Sequence, residues 1–168
     1  MKIDMILVFA IVVGLVAVPY ALFILFGSGN SKKIEKQIKE EANKNNLNIN
    51  HREKWASRYL SLDSIANKLL FSRTRGEQLV HQHIDLNTIT RIVVLEDRIS
   101  KRIDGKMHDT LEKLSLELIS KENVQSIVIN FYDSTLDATQ NYEMNRVNKW
   151  KELIEKQLKL NAKHSKAA

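Results

Sequence analysis

Residues that could bind a metal ion or act in catalysis are few in this sequence, and they are scattered. His81 and His83 occupy alternate positions, so on a strand both imidazoles would point to the same side, as two ligands of one metal ion would. His108 and Asp109 are further candidates that only folding would bring near the first pair. We therefore predict no metal site, and the absence of cysteine excludes thiol catalysis.

Known catalytic and nucleotide-binding motifs are also absent from the sequence. Gly105-Lys106 lacks both the upstream glycine and the hydroxyl residue after the lysine that a phosphate-binding loop requires. Neither a Ser-His-Asp pattern nor a zinc-protease, kinase or dinucleotide-binding pattern is present. We predict no catalytic residue and no cofactor, and we expect a protein that is not an enzyme. An enzyme, or an enzyme subunit whose site forms only on folding, stays open as an alternative.

Basic residues are the second group with a chemical meaning, and they number 26 against 20 acidic residues. They are interleaved with Asp and Glu, so we expect no nucleic-acid partner. Two clusters are candidate contacts with an anionic membrane surface, namely Lys32, Lys33, Lys36 and Lys39, and further along Arg98, Lys101, Arg102 and Lys106. Because the second cluster surrounds Asp104-Gly105, a dipeptide typical of hairpin tips, we favour a solvated hairpin over a contact surface for this cluster.

The element that would position all of these residues is the apolar stretch 5–26, which contains no charged residue. As a helix it would be about 33 Å long, against a hydrocarbon core of about 30 Å. Lysines follow it and almost none precede it. This pattern predicts a single transmembrane helix in the inner membrane, with the amino terminus outside and the remaining chain cytoplasmic. One helical face carries small residues that would suit packing in a homo-oligomer: Ala10, Gly14, Ala17 and Ala21.

Shifts in composition divide the chain into four parts. Residues 1–30 comprise the anchor and a flexible Gly-Ser-Gly break, and residues 31–50 comprise a juxtamembrane helix with an asparagine-rich linker. Residues 51–162 have the size of one compact domain, and residues 163–168 form a frayed tail. We expect any specific binding function to reside in the third part.

Alternating hydrophobicity in residues 51–162 predicts strands followed by one helix. The predicted strands cover 55–62, 68–71, 78–84, 89–95, 111–119 and 126–132. A capping box at Asp137 and Gln140 would begin the final helix, whose apolar stripe comprises Met144, Val147, Trp150, Ile154 and Leu158. The predicted fold class is α+β: a transmembrane helix, then a bent antiparallel sheet or small barrel closed by a carboxy-terminal amphipathic helix.

This order of elements resembles bacterial pleckstrin-homology-like (PH-like) domains. The resemblance is carried by the turn from Leu62 to Leu69, the strand–bend–strand run 84–94 and the tryptophan-bearing last helix. It implies seven strands where we identify six, and the seventh would lie within residues 98–103. Members that bind phosphoinositides carry basic residues in the loop between their first two strands. Here Lys68 is the only cation near that loop, so inositol-lipid binding is not carried over.

The sequence as a whole favours a binding or scaffolding protein. We predict a single-pass membrane protein that presents a PH-like module at the cytoplasmic surface to a protein or peptide partner, either at an exposed sheet edge or in a groove beside the final helix. Recognition of anionic lipid headgroups by the two basic clusters is an alternative within the same class. A purely structural role, in which the small-residue face of the anchor drives oligomerisation, is a further alternative.

Overall fold

A computed structural model describes residues 9, 11–19, 21, 29–76, 78–103, 105–121 and 126–167. The internal contacts of the chain divide it into two compact units, Met1–Asn46 and Leu47–Ala168. In the first unit, residues 11–19 form helix α1 and Gly29–Lys44 form helix α2. Across one turn of α2, Lys36 Nζ lies 3.8 Å from the carboxylate of Glu40.

The predicted transmembrane helix is wrong. No helix among the described residues is both long enough and apolar enough to cross a membrane. Both α2 and α3 (Glu143–Ala167) are rich in charged residues. The membrane anchor, the single-pass topology and the inner-membrane location are therefore corrected. Within the stretch 5–26, the structure describes residues 9, 11–19 and 21, and Ala10 of the predicted packing face lies outside the described residues.

The second unit consists of two antiparallel sheets and a long helix. Its elements, in chain order, are β1 His51–Trp55, β2 Arg58–Asp63, β3 Lys68–Arg75, β4 Gln78–Asp85, a 3-10 turn Leu86–Thr88, β5 Ile89–Ile103, β6 Lys106–Ser120, β7 Ile127–Asp133 and α3 Glu143–Ala167. One sheet has the order β1-β2-β3-β4 and the other β5-β6-β7. The prediction of one bent sheet or small barrel is corrected accordingly, because the 3-10 turn separates β4 from β5 and no described pairing joins the two sheets.

The seventh strand is β1, which lies at the start of the domain. A turn at Ala56-Ser57 interrupts the predicted strand 55–62, and Trp55 pairs with Arg58 across it. Ala56 occupies the left-handed region with φ of 45°, where residues other than glycine are uncommon. The stretch 98–103, in which a seventh strand was expected, is instead the continuation of β5.

Side chains from both sheets and from α3 form one hydrophobic core. Alternate residues of β6, namely Leu114, Leu116 and Leu118, have no exposed surface, and neither do Ile129 and Phe131 of β7. The apolar stripe of α3 covers these strands, with Val147, Trp150 and Ile154 buried and Met144, Leu153 and Leu158 packed against them. The helix begins at Glu143, six residues later than the capping box at Asp137 predicted.

Three register shifts interrupt the described pairing of the second sheet, one at Thr90 of β5 and two that determine how β6 and β7 project. On β6, Glu112 has no partner on β5, because Asp97 pairs with Lys113 while Arg98 pairs with Leu111. On β7, Phe131 has no partner on β6. A bulge bends its strand and redirects the extra side chain. The bulge at Glu112 separates the packed base of the long β5–β6 hairpin from its exposed end. The bulge at Phe131 directs this residue toward β1.

Candidate functional site

The candidate site forms around two aromatic rings, one from each sheet. The ring of Trp55, the last residue of β1, stacks on that of Phe131 with a centroid distance of 4.8 Å and an interplanar angle of 12°. The bulge leaves Phe131 without a partner on β6, and its carbonyl oxygen accepts a hydrogen bond from Trp55 Nε1 at 2.9 Å. Both residues are buried. The first sheet is therefore fixed to the second at this point by a ring contact and a hydrogen bond together.

A buried ion pair lies next to these rings. Arg58 has no exposed surface, yet its guanidinium donates to Asp137 Oδ1 at 2.8 Å and to Asn130 Oδ1 at 2.7 Å. Asp137 also accepts the backbone N–H of Asp133 at 2.9 Å. Nε of Arg58 has no hydrogen-bond partner among the described residues. Since a buried cation needs a matched anion, this pair fixes the connection between β7 and α3 against β2.

Glu53 of β1 collects three donors from the first two turns of α3. Its carboxylate accepts from Arg146 Nε at 2.9 Å, from Lys149 Nζ at 2.8 Å and from Trp150 Nε1 at 3.0 Å. Partial burial acts to raise the pKa of Glu53, but hydrogen bonds from Lys149 and Arg146 outweigh it and hold the pKa below the ordinary value of 4.5. The guanidinium of Arg146 also lies 5.4 Å from the centre of the Trp55 ring.

These contacts surround an open groove, which we call the Trp55 groove. It has a volume of about 480 Å³ and is lined by Lys54, Trp55, Ala56, Ser57, Phe131, Leu136, Asp137, Ala138, Thr139, Asn141, Glu143 and Arg146. The nearly buried rings of Trp55 and Phe131 lie at its base, its walls combine small or hydroxyl-bearing residues with charged and amide side chains, and Leu136 at its rim is 59% exposed. The groove is thus shaped by the β1–β2 turn, by β7, by the connection after β7 and by the first turn of α3.

Comparison of the chain with protein-family models, with curated proteins and with solved structures finds no match. The function must therefore be inferred from the geometry of the site.

The predicted contact residues lie elsewhere in the structure. Lys32, Lys33, Lys36 and Lys39 are exposed along α2, in the first unit. Arg98, Lys101, Arg102 and Lys106 are exposed on the far end of the β5–β6 hairpin, in the second unit. Ile103 pairs with Lys106, as the hairpin interpretation of this segment requires. Of the predicted packing face, Gly14, Ala17 and Ala21 are helical, whereas Ala10 lies outside the described residues.

The two histidines of β4 have different surroundings. His81 Nδ1 lies 2.8 Å from the hydroxyl of Ser72, which is buried, while His83 is exposed. Within the part of the chain that the structure describes, no group of three or more His, Asp or Glu residues is arranged to hold a metal ion. The contact with Ser72, its partner on the neighbouring strand β3, accounts for the ring orientation of His81.

The residues of the Trp55 groove were not identified from the sequence. The sequence predicts Asp137 as a helix cap and places Arg58 within the predicted strand 55–62. The two residues are 79 positions apart, so no local pattern reports their contact. That strand also contains Ser57 and Ser61, so its composition does not mark Arg58 as buried. The bulge at Phe131 depends on the strand register and leaves no mark in the sequence.

Proposed function

We propose that the second unit is a protein-binding module of the PH-like kind, and that it binds an extended segment of a partner protein in the Trp55 groove. The observation that carries this proposal is the stacked pair of Trp55 and Phe131, which forms a rigid aromatic floor beneath an open groove. Grooves with an apolar floor and a few fixed polar groups are typical of recognition sites. A groove beside the final helix is one of the two places where the sequence predicts a peptide partner, the other being an exposed sheet edge.

The arrangement of strands supports the PH-like part of the proposal. Seven antiparallel strands are divided into sheets of four and three, and a single helix follows the last strand. The helix packs its apolar stripe onto the core that the two sheets share. In this arrangement the open corner beside β1 and β7 is available for a ligand.

The state of the carboxylates supports binding over catalysis. Asp137 is held by Arg58 and by a backbone N–H, and Glu143 accepts the backbone N–H of Asn141. Hydrogen bonds from Thr135 lower the pKa of Asp133, and the pKa of Glu53 is lowered as well. A general acid near neutral pH needs a raised carboxyl pKa. The pKa of Glu53 and of Asp133 is shifted in the opposite direction, and all four carboxylates are engaged in hydrogen bonds that maintain the shape of the groove.

The lining of the groove indicates what kind of segment fits it. Leu136 offers exposed apolar surface at the rim, and Ala56 and Ala138 leave room for a bulky side chain above the aromatic floor. Ser57 and Thr139 supply hydroxyl groups for the backbone of the bound segment. We therefore expect the preferred ligand to carry an aromatic or large aliphatic anchor within an extended stretch.

The proposal can be tested with peptides selected from a random displayed library against the full chain. Binding of the selected peptides is expected to be lost with Ala138→Trp, which fills the groove, and with Leu136→Glu, which places a charge at its apolar rim. Val80→Glu is the matched control, because Val80 is 51% exposed on β4 and does not line the groove. Circular dichroism of each variant would establish that the fold is retained.

Two outcomes would contradict the proposal. One is a library selection in which no two of the selected peptides compete with each other for binding, so that they share no common site. The other is a set of peptides that bind the Leu136→Glu and Ala138→Trp proteins as tightly as the unchanged protein. In either case the Trp55 groove would be a feature of packing alone.

A further inference from the structure

The outer end of the β5–β6 hairpin is a two-stranded arm that extends beyond the rest of its sheet. β7 pairs with β6 only from Lys113 to Leu118, whereas the pairing of β5 with β6 continues to Ile103 and Lys106. β5 is an edge strand, and every residue from Leu95 to Arg102 is exposed. Exposed edges of this kind are templates for pairing with another strand, and proteins usually protect them. We call residues 95–103 the β5 edge.

Along the β5 edge, the backbone N–H and C=O groups of successive residues point alternately toward β6 and away from it. Ile103 and Lys106 face each other across a two-residue connection, so they exchange hydrogen bonds, and alternate residues of β5 repeat that pattern. The odd-numbered residues of the β5 edge therefore bond to β6. The N–H and C=O groups of Glu96, Arg98, Ser100 and Arg102 point outward, where no described strand meets them.

The side chains of the β5 edge are complementary to themselves in one antiparallel register. If a two-fold axis passes through Ile99, Asp97 faces Lys101 of a second copy and Glu96 faces Arg102. In the same register Ile99 faces its own counterpart. Each charge pair occurs twice by symmetry. Outward-pointing residues also meet outward-pointing residues, so the backbone groups match.

Neighbouring registers lack this complementarity. An axis through Asp97, Arg98 or Lys101 places identical charges directly opposite each other. An axis through Ser100 places Arg98 opposite Arg102 twice. Directly opposed like charges destabilise an antiparallel pair, and opposite charges stabilise it. The register centred on Ile99 is the one in which all four charged positions of the β5 edge other than Arg98 find an opposite charge.

We propose that two copies of this chain associate through the β5 edge, antiparallel and in register about Ile99, so that the three-stranded sheet becomes a continuous six-stranded sheet across the dimer. The occupant of the edge is a second copy because the charge pattern is its own complement. This inference does not depend on the Trp55 groove, which lies at the opposite edge of the sheet, beside β7.

Single cysteines give a direct test, because the chain contains none. In the proposed dimer the two Ile99 residues form a pair without mutual hydrogen bonds, whose Cα atoms are about 4.5 Å apart, a distance that a disulfide spans. The full chain with Ile99→Cys is expected to form a disulfide-linked dimer under mild oxidation. Leu95→Cys is the matched control: Leu95 and Ile99 are similarly exposed, at 39% and 37%, but the two copies of position 95 lie roughly 26 Å apart.

Charge reversal tests the register independently of cysteine chemistry. Asp97→Lys and Lys101→Asp each place like charges opposite each other twice, so each is expected to weaken self-association in sedimentation by roughly tenfold or more. Combining both changes in one chain exchanges the charges and is expected to restore the dimer. A mixture of the two single variants is expected to form a heterodimer. Glu152→Lys, an equal charge change on the exposed side of α3, is the control and should leave association unchanged.

The proposal is overturned if the Ile99→Cys and Leu95→Cys proteins crosslink equally or not at all. It is equally overturned if the chain sediments as a monomer at all concentrations, or if the double charge exchange associates no better than the single variants. Because none of the varied positions lines the Trp55 groove, failure here would leave peptide binding by that groove intact, and the reverse also holds.

Discussion

The guanidinium of Arg58 lies 2.8 Å from the carboxylate of Asp137, and the two side chains are 0% and 8% exposed. This ion pair joins β2 to the connection that leads into α3. It follows that the shape of the Trp55 groove depends on a charge contact beneath its surface as well as on the residues that line it.

Removing one member of this ion pair should be far more costly than removing both. Asp137→Ala leaves the Arg58 cation buried without an anion, and breaking a buried pair in this way costs about 3–5 kcal/mol. The double change Arg58→Met with Asp137→Ala should recover most of that loss, since an apolar side chain needs no counter-charge. Urea unfolding of the two single variants and the double variant would measure the coupling. Additive losses would show that the two charges act independently.

Protonation of Glu53 should reduce stability in acid. Its pKa is lower in the folded protein than the ordinary value of 4.5, so the folded state binds this proton less readily than the unfolded chain does. The stabilisation is fully present above about pH 4.5 and is lost as the pH falls through the folded pKa. In Glu53→Gln, the free energy of unfolding should therefore fall less steeply between neutral pH and acid. Identical slopes in both proteins would contradict this assignment.

The hydrogen bond from Trp55 Nε1 to Phe131 O should contribute to stability separately from the ring stacking. Trp55→Phe retains an aromatic ring but leaves a buried carbonyl without its donor, which costs about 1–3 kcal/mol. Tyr142→Phe is a suitable comparison, because Tyr142 is 78% exposed and its change should stay within about 0.5 kcal/mol. Thermal unfolding followed by far-UV circular dichroism would distinguish them. Equal effects would remove the stability argument for the Trp55–Phe131 contact.

Gly105 should be required at the end of the β5–β6 hairpin for its backbone conformation and not for space. Its φ is 78°, while an added Cβ would meet no atom within 4 Å. Gly105→Ala should therefore destabilise the arm by about 1 kcal/mol, whereas Gly105→Asn should be better tolerated. Amide hydrogen exchange of residues 98–103 would report the difference locally. If alanine and asparagine have the same effect, the positive φ is not what selects glycine here.

The buried face of a helix or strand could be predicted from the sequence where the spacing of apolar residues within that one element determines it. The stripe of α3 and the alternating leucines of β6 are confirmed as parts of the core, because helical and strand periods are local properties. Alternation in the predicted strand 78–84 places Val80 and Ile84 on the same face, yet Val80 is 51% exposed while Ile84 is buried. Both lie on one face of β4, and the core ends between them, so periodicity assigned the face correctly but not the extent of the core.

Features that depend on contacts between distant segments could not be predicted. The turn between β1 and β2 was missed because Ala56-Ser57 lacks the Gly, Asn or Asp that is typical of two-residue hairpin turns, and the conformation of Ala56 is imposed by the pairing of its flanking strands. The start of α3 was misplaced because Asp137 binds Arg58 across 79 positions instead of capping a helix. The anchor was inferred from hydropathy alone, and the described helices do not provide a span.

The unpaired Glu112 has a consequence for how the length of the hairpin could change during evolution. Its carbonyl oxygen accepts the backbone N–H of Ser134, which ties the base of the hairpin to the segment after β7. Outward from this residue, β5 and β6 pair only with each other. Removing two facing residue pairs from the arm would keep every remaining side chain on its original face and leave the core untouched. The length of the arm can therefore vary in even steps without a penalty to folding, and the surface it presents can diverge faster than the domain that carries it.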